Sequence, residues 1–548
     1  MEYRGRTHAV RKSAGQVDLD QADDRRRGEV LSGDSLEEVA QRLAARQQAV
    51  PVEFAGWLPV YDVSGNCGKH PQFAHADRPP HGYRFTCSAP PAGRPAGLSL
   101  VQRIVNKLSV LFVAILVAFR SFYTLACGAA GVGWFARGRI IAAMIRLLWK
   151  ATVNGAWPWH TLRFIQTRHL RSQLMLGRQR GLVFLTSMPY TLNQFPWVIE
   201  IEDPTTLFYP LIQNGQTSEM DFRASPYFPI VKALLEADEC KGIITHIRST
   251  AELVRSLFGS EVISQKVIHA PMGVCLPVGE RGALSFSPDV YPDQRIQRGD
   301  DDLQLLFINS WCQVPSNFYL RGGLDLLEAF HILRQRYPRL RLTMRTALPD
   351  LDAHYHRIIE AGAVRVIDRF VTSDEMAQLH AQSDIYLLPA ARIHIVSLLQ
   401  AMGHGLPVIV SDGWGFAEYV EDGRNGLILP GRYGMSSWAD IEGGAMREDY
   451  STVYTPDPQI VQGIVAAVTR LIENPDLRMR LGRAARVDVE TVYTVDRWNA
   501  ALQEVFDRAR GGSNGENRTG SVSKGLASFA GTDVSGSDST VLAAVTTR

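Results

Sequence analysis

Short apolar runs that stop at small or polar residues punctuate this chain, and between them apolar positions recur at helical spacing. The clearest case lies between Ser383 and Arg432. Ile385 to Pro389 is an apolar run closed by a proline, as suits a strand buried on both faces of a parallel sheet. Val396, Leu398, Leu399 and Met402 then fall on one helical face, Gly403 and Gly405 stop that helix, and Leu406 to Val410 begins the next strand. The order predicts a β-α-β unit. Ser411 to Gly415 is a turn of small residues with one tryptophan, and Phe416 to Val420 reads as a short helix ended by Asp422 and Gly423. Turns leaving the carboxyl ends of strands in such sheets collect ligands, and helix N-termini there offer free N–H groups to anions.

The same reading divides the chain into two lobes. Strands are predicted at Gly181 to Pro189, Trp197 to Ile201, Thr205 to Pro210, Lys241 to Ile247 and Lys266 to His269, with a helix at Thr250 to Phe258. A second set of strands lies at Leu303 to Asn309 and Leu340 to Arg345, with helices at Met376 to Asp384, Ile460 to Leu471, Leu477 to Asp488 and Thr494 to Arg508. Residues 1–50 lack sustained periodicity apart from a short helix near Leu36 to Ala45, and residues 511–548 are rich in Gly, Ser and Thr; both are expected to be disordered. The expected organisation is an amino-terminal lobe at 51–285 with an insertion at 98–150, a linker at 286–302, a second lobe at 303–490 and a returning helix at 491–510. The run from Trp57 opens into a glycine turn, Gly65 to Lys69. That turn either brings the backbone of Gly65 and Gly68, with Lys69, to a phosphate or is a surface loop.

Charge changes the picture in one place. The net charge of +2 hides a segment between Asp77 and Glu200 with fifteen lysines and arginines and no acidic residue. Because this segment also holds the most apolar run, Leu108 to Phe119, an anionic membrane surface is the expected partner and nucleic acid is not. The run is shorter than the roughly 20 residues that cross a bilayer, so attachment to the surface ranks above a re-entrant hairpin turning at Gly128, Gly131 and Gly133. Arg139, Arg146 and Lys150 share a helical stripe, with Ile141, Met144, Ile145 and Leu148 on the other side. Such a helix either lies in the headgroup layer or packs on the core with its charges in water. Six scattered cysteines form no C-x-x-C, and the polar amino terminus lacks the apolar core of a signal peptide. The expected location is cytoplasmic, peripheral on the inner face of the cell membrane.

Gln400-Ala401-Met402-Gly403-His404-Gly405-Leu406-Pro407-Val408-Ile409-Val410-Ser411-Asp412, followed by Gly415, Glu418, Asp422, Gly423, Asn425 and Gly426, resembles the donor-sugar motif of retaining glycosyltransferase family 4. Lys266, Pro271, Gly273 and Val274 fit that family's pattern at the end of the first lobe. Arg321-Gly322-Gly323 through Ala329-Phe330 fits its K-G-x-x-x-L-x-x-A-F stretch, with Arg321 on the family's lysine. The resemblance covers about Gly181 to Arg508. It implies an α/β GT-B fold of two facing Rossmann-like domains, here with the inserted hydrophobic and basic helical segment in the first.

The resemblance further implies transfer of a sugar from a nucleoside diphosphate sugar to a glycan or lipid-linked acceptor, with retention of configuration. Arg321, a planar donor suited to a diphosphate, is a catalytic candidate together with Arg392 and His394. Donor-binding candidates are Asn309 and Ser310, in place of the family's Gly-Arg, and Arg321, Gln400, Gly415 and Glu418. The family's two glutamates, eight positions apart, correspond here to Arg392 and Gln400. No cofactor or metal is expected: Asp350-Leu351-Asp352 resembles a D-x-D triplet that GT-B enzymes generally do not use. The replaced glutamates leave open a non-catalytic scaffold that partners another transferase, and a nucleotide-sugar epimerase is a third, weaker reading.

Overall fold

The computed structural model of the 548-residue chain describes residues 49–55, 59–61, 67–69, 79–87, 134–165, 181–186, 188–189, 191–208, 222–274, 303–309, 315–369 and 371–511. The predicted amino-terminal and carboxy-terminal disorder, the helix near Leu36 to Ala45, the apolar run Leu108 to Phe119, the glycine hairpin after it and the linker 286–302 lie outside these residues.

The first sheet is built from Val50–Ala55 (β1), Tyr83–Cys87 (β4), Leu182–Thr186 (β5), Trp197–Ile201 (β6), Cys240–Thr245 (β7) and Val267–His269 (β8). All neighbours run parallel in the order β4-β1-β5-β6-β7-β8. Every residue of β5 and β6 is buried, Glu200 of β6 included, which is why both read as mainly apolar runs. Pro59–Tyr61 (β2) and Cys67–Lys69 (β3) form a separate antiparallel ribbon. The strand that opens the lobe is therefore β1 and not the run from Trp57; its Pro51 and Glu53 hide it from a periodicity search. The strand expected at Thr205 to Pro210 is instead a 3₁₀ turn, Pro204–Phe208. Pro204 has no N–H for a ladder, and the Asp203 carboxylate accepts the Thr205 N–H at 2.7 Å, which bends the backbone away from extension.

Helices Trp134–Val153 (α1), Pro158–Ile165 (α2), Phe228–Glu236 (α3), Arg248–Phe258 (α4) and the short Glu261–Ser264 (α5) belong to this lobe. Helix α1 packs inward through Ala143, Leu147 and Ala151. No helix among the described residues is long and apolar enough to cross a membrane.

The second sheet comprises Gln304–Ile308 (β9), Arg341–Arg345 (β10), Val364–Ile367 (β11), Ile385–Leu388 (β12), Val408–Ser411 (β13) and Gly426–Leu429 (β14). Its order is β11-β10-β9-β12-β13-β14, again all parallel. This is a doubly wound 3-2-1-4-5-6 arrangement, and the order of the strands reverses between β9 and β12. Helices Asn317–Leu320 (α6), Gly323–Arg336 (α7), Ala353–Glu360 (α8), Ser373–Ala381 (α9), Ile395–Gly403 (α10), Pro458–Glu473 (α11) and Pro475–Thr491 (α12) accompany it. Thr372, Asp457 and Asn474 side chains cap α9, α11 and α12.

Two further pieces tie the lobes. Val495–Ala509 (α13) returns to the first sheet, where Trp498, Leu502, Val505 and Phe506 join Val52, Phe54 and Phe184 in a second core. Gly242 on β7 admits it, since a Cβ there would stand 2.6 Å from Val505. The entry to α13 lies on Gly273, whose missing side chain leaves room for the Thr494 carbonyl. The other tie is an antiparallel hairpin, Ser437–Asp440 (β15) with Ala445–Glu448 (β16). Its tip reaches the first lobe: the Arg223 guanidinium donates to the Gly443 carbonyl, and the Ser256 hydroxyl to that of Glu442.

Candidate active site

The carboxyl ends of β9 and β12 diverge at the reversal point, and the residues singled out by the motif gather around it. Arg321 ends the one-turn helix α6 and precedes Gly322, which adopts φ +74° as the N-cap of α7. A side chain at Gly322 would lie 2.3 Å from the Pro389 carbonyl, so the α6–α7 corner sits against the end of β12. This contact fixes Arg321 at the switch point. Its side chain is buried, its Nε has no hydrogen-bond partner, and no carboxylate forms an ion pair with it among the described residues. Burial, then the neighbouring Arg392 cation, pushes its pKa down to about 9. A buried guanidinium without a paired anion is costly in an empty protein and suited to an anionic ligand.

Arg392 lies in the loop after β12 and is mostly buried. Its guanidinium pairs with Asp203, which is fully buried at the end of β6 in the other lobe. Asp203 also accepts the Thr205 N–H and hydroxyl. The position where the family carries its first glutamate is thus a cation, and the carboxylate beside it comes from the opposite lobe. His394, half-buried, is the N-cap residue of α10 without a side-chain cap; its carbonyl accepts the Ser397 hydroxyl at 3.1 Å. Gln400 is half-buried in the second turn of α10, and its backbone carbonyl accepts from the His404 ring at 2.8 Å.

The turn after β13 is held closely to this loop. The Ile393 N–H donates to the Trp414 carbonyl at 3.0 Å, and Gly415, at φ +91°, leaves only 2.6 Å between an added Cβ and Ile393. Trp414 lies in this turn, between Gly413 and Gly415. Its indole is buried with Nε1 lacking an acceptor among the described residues. Glu418 does not end on open cleft. Its carboxylate accepts the N–H groups of Arg248 and Ser249 and the Ser249 hydroxyl, the last two at 3.0 and 2.6 Å. Helix α4 has no capping side chain of its own, so Glu418 caps it from the other lobe. The structure adds a lobe-bridging role to Glu418, the residue expected to border the donor phosphates. Replacing Glu418 by Ala is expected to cost about 1–2 kcal/mol, as for a lost N-cap. Urea denaturation measures that loss, and small-angle scattering should show a larger radius of gyration without ligand.

Asn309 follows β9 and is fully buried. Its amide donates to Thr346 at 3.2 Å and its carbonyl accepts from Arg345 at 3.0 Å. These bonds knit the end of β9 to the end of β10. Ser310 and Gly65 lie outside the described residues. Gly68 and Lys69 are in β3, so they follow β1 in chain order but in a ribbon strand, not in a tight phosphate turn.

Sequence reading missed Asp203, the α4 N-terminus and Tyr419. The Tyr419 hydroxyl donates to the His246 carbonyl at 2.6 Å and accepts the Met272 N–H at 3.2 Å, a third bridge between lobes. One signal was available: a cation in place of a family glutamate demands a new carboxylate nearby, and Glu202-Asp203 closes a predicted strand.

Two doubly wound domains, their strand ends joined by a lobe-bridging set of side chains and a returning helix, define the GT-B fold. Residues 315–440, which contain Arg321, Arg392, Gln400, Gly415 and Glu418, match the family described as glycosyl transferases group 1. The match is confined to this region of the second lobe. It is 26% identical over 228 residues to a D-inositol 3-phosphate glycosyltransferase of Paenarthrobacter aurescens (strain TC1), covering 40% of this chain and 51% of that protein. A D-inositol 3-phosphate glycosyltransferase of Arthrobacter sp. (strain FB24) is 25% identical over 258 residues, covering 44% and 52%. The chain spans about half the length of the curated relatives it matches. Among solved structures, a glycosyltransferase from Rickettsia africae ESF-5 aligns with a TM-score of 0.41 and 11% identity, over 63% of this chain and 80% of that one. Sucrose-phosphate synthase from Thermosynechococcus elongatus aligns with 0.40 and 16%, over 61% and 74%.

Proposed function

We propose that the chain is a glycosyltransferase that takes a sugar from a nucleoside diphosphate sugar and passes it to a glycan or lipid-linked acceptor. The observation that carries this reading is Arg321, a buried guanidinium at the switch point of the second sheet without a carboxylate partner among the described residues. As the donor bond breaks, negative charge grows on the diphosphate, and a fixed guanidinium lowers the energy of that charge. The N–H groups opening α10, shortly after Arg392 in the chain, add a helix N-terminus suited to an anion. Arg392, neutralised by Asp203, positions the loop and draws the first lobe onto the donor. Retention of configuration follows the family resemblance.

A second reading has a specific observation behind it. The two family glutamates are Arg392 and Gln400, and Arg392 is consumed by a pair across the lobes. A GT-B scaffold that binds nucleotide without turnover, as partner of another transferase, fits that arrangement. Calorimetric titration with UDP, GDP and their common sugar conjugates tests the donor site, and release of free nucleotide from the bound conjugate separates the two readings. Binding with slow release of nucleotide supports the enzyme; binding with none supports the scaffold. Absence of binding to every nucleotide overturns both.

A further inference from the structure

We propose that the outward face of α1 and its turn into α2 is a docking surface for a bilayer containing anionic lipid. Ala143, Leu147 and Ala151 face the core, and residues two positions further along a helix turn about 200° away from them. Those positions hold Ile145, Trp149 and Val153, with Ile141 one turn before and Trp157 just beyond. All five are exposed, Trp149 at 72%, Val153 and Trp157 at 68% each. A soluble surface carries such residues singly; a continuous strip of them marks a contact surface.

Charge decides what the strip contacts. Arg146 and Lys150 lie exposed along its flank, and Arg163 is exposed on α2. No acidic residue occurs anywhere between Asp77 and Glu200. A protein partner shaped to this face would have to match a long basic run, whereas an anionic bilayer offers apolar depth and negative charge together. Tryptophan, apolar in body with one N–H, settles at the boundary between headgroup and acyl chain. Sequence spacing placed basic and apolar residues on opposite sides of this helix; burial adds that the core takes a third face of small residues. The apolar side is left exposed.

The test is co-sedimentation of the full chain with phosphatidylcholine vesicles, with and without phosphatidylglycerol. The expected result is binding to the anionic vesicles, reduced at least about 10-fold in partition coefficient by Trp149→Ser with Trp157→Ser. Arg146→Gln and Lys150→Gln should each cost about 5-fold and lessen the sensitivity to salt. Hydroxyl-radical footprinting should label both tryptophans in lipid-free protein and not in the vesicle-bound form. Unchanged vesicle binding by the tryptophan variant overturns the proposal. So does protection of Trp149 without lipid, which assigns the face to another segment of this chain. A lipid-free dimer in sedimentation velocity that the variant abolishes assigns it to a second copy. Nucleotide titration of the same variant, expected to be unchanged, reports on the donor site separately.

Discussion

Arg321→Met is expected to weaken nucleoside diphosphate binding by roughly 10- to 150-fold, the equivalent of about 1.5–3 kcal/mol for hydrogen bonds to a charged partner. The same substitution should raise the melting temperature of the unliganded protein. Both effects have one cause. Arg321 is a buried cation without a paired anion among the described residues, which costs stability when the site is empty and contributes affinity when a diphosphate fills it. Differential scanning calorimetry, with and without nucleotide, measures both in one series. The pH dependence has a definite sign. Because the folded pKa, about 9, lies below that of the unfolded chain, the guanidinium is charged in both states below pH 9 and its penalty is constant there. The melting difference between Arg321→Met and the natural chain should therefore be level through neutral pH and shrink as pH rises past about 9. A variant that melts lower and keeps its nucleotide affinity would show that Arg321 is a structural residue.

Arg432→Met is expected to destabilise the second lobe by about 3–5 kcal/mol, because it strands a buried carboxylate. Arg432 and Asp325 are both almost wholly buried and pair side chain to side chain, and Asp325 also accepts the Asp457 N–H at 2.7 Å. Burial raises the Asp325 carboxyl above its ordinary pKa even with Arg432 against it. Its charge is thus a net cost, and the pair is worth little against an apolar replacement. The double variant Asp325→Leu with Arg432→Met should accordingly recover most of the loss, short of the backbone bond to Asp457. Urea midpoints of the two singles and the double give the coupling. Additive losses would mean that the two charges are not coupled. Since Asp325 sits in the first turn of α7, one turn after Arg321, the single variant should also loosen the donor site.

The second lobe was legible where its strands are buried on both faces and spell apolar runs, as at Gln304–Ile308, Ile385–Leu388 and Val408–Ser411; Val364–Ile367, with Arg365 exposed, and the short Gly426–Leu429 were missed. Val50–Ala55 and Tyr83–Cys87 escaped notice because one holds Pro51 and Glu53 and the other is an edge strand with Arg84 exposed. The motif singled out Arg321, Arg392 and Gly415 along the chain but could not state their partners. Asp203 is 189 residues from Arg392, and α4 is 170 from Glu418; such pairings depend on how two sheets face each other. The Thr205 misassignment is local by contrast, and Asp-Pro-Thr is turn chemistry that a period-2 reading overlooks.

The packing of α13 on the first sheet carries a consequence for biosynthesis. Val52, Phe54 and Phe184 are covered by Trp498, Leu502 and Phe506, which leave the ribosome only after the entire second lobe. The nascent first lobe must wait with one apolar sheet face bare, open to aggregation or to chaperones, until that helix arrives. Its maturation is therefore post-translational in timing, and a ribosome stalled before Val495 should hold a first lobe that proteases still cut.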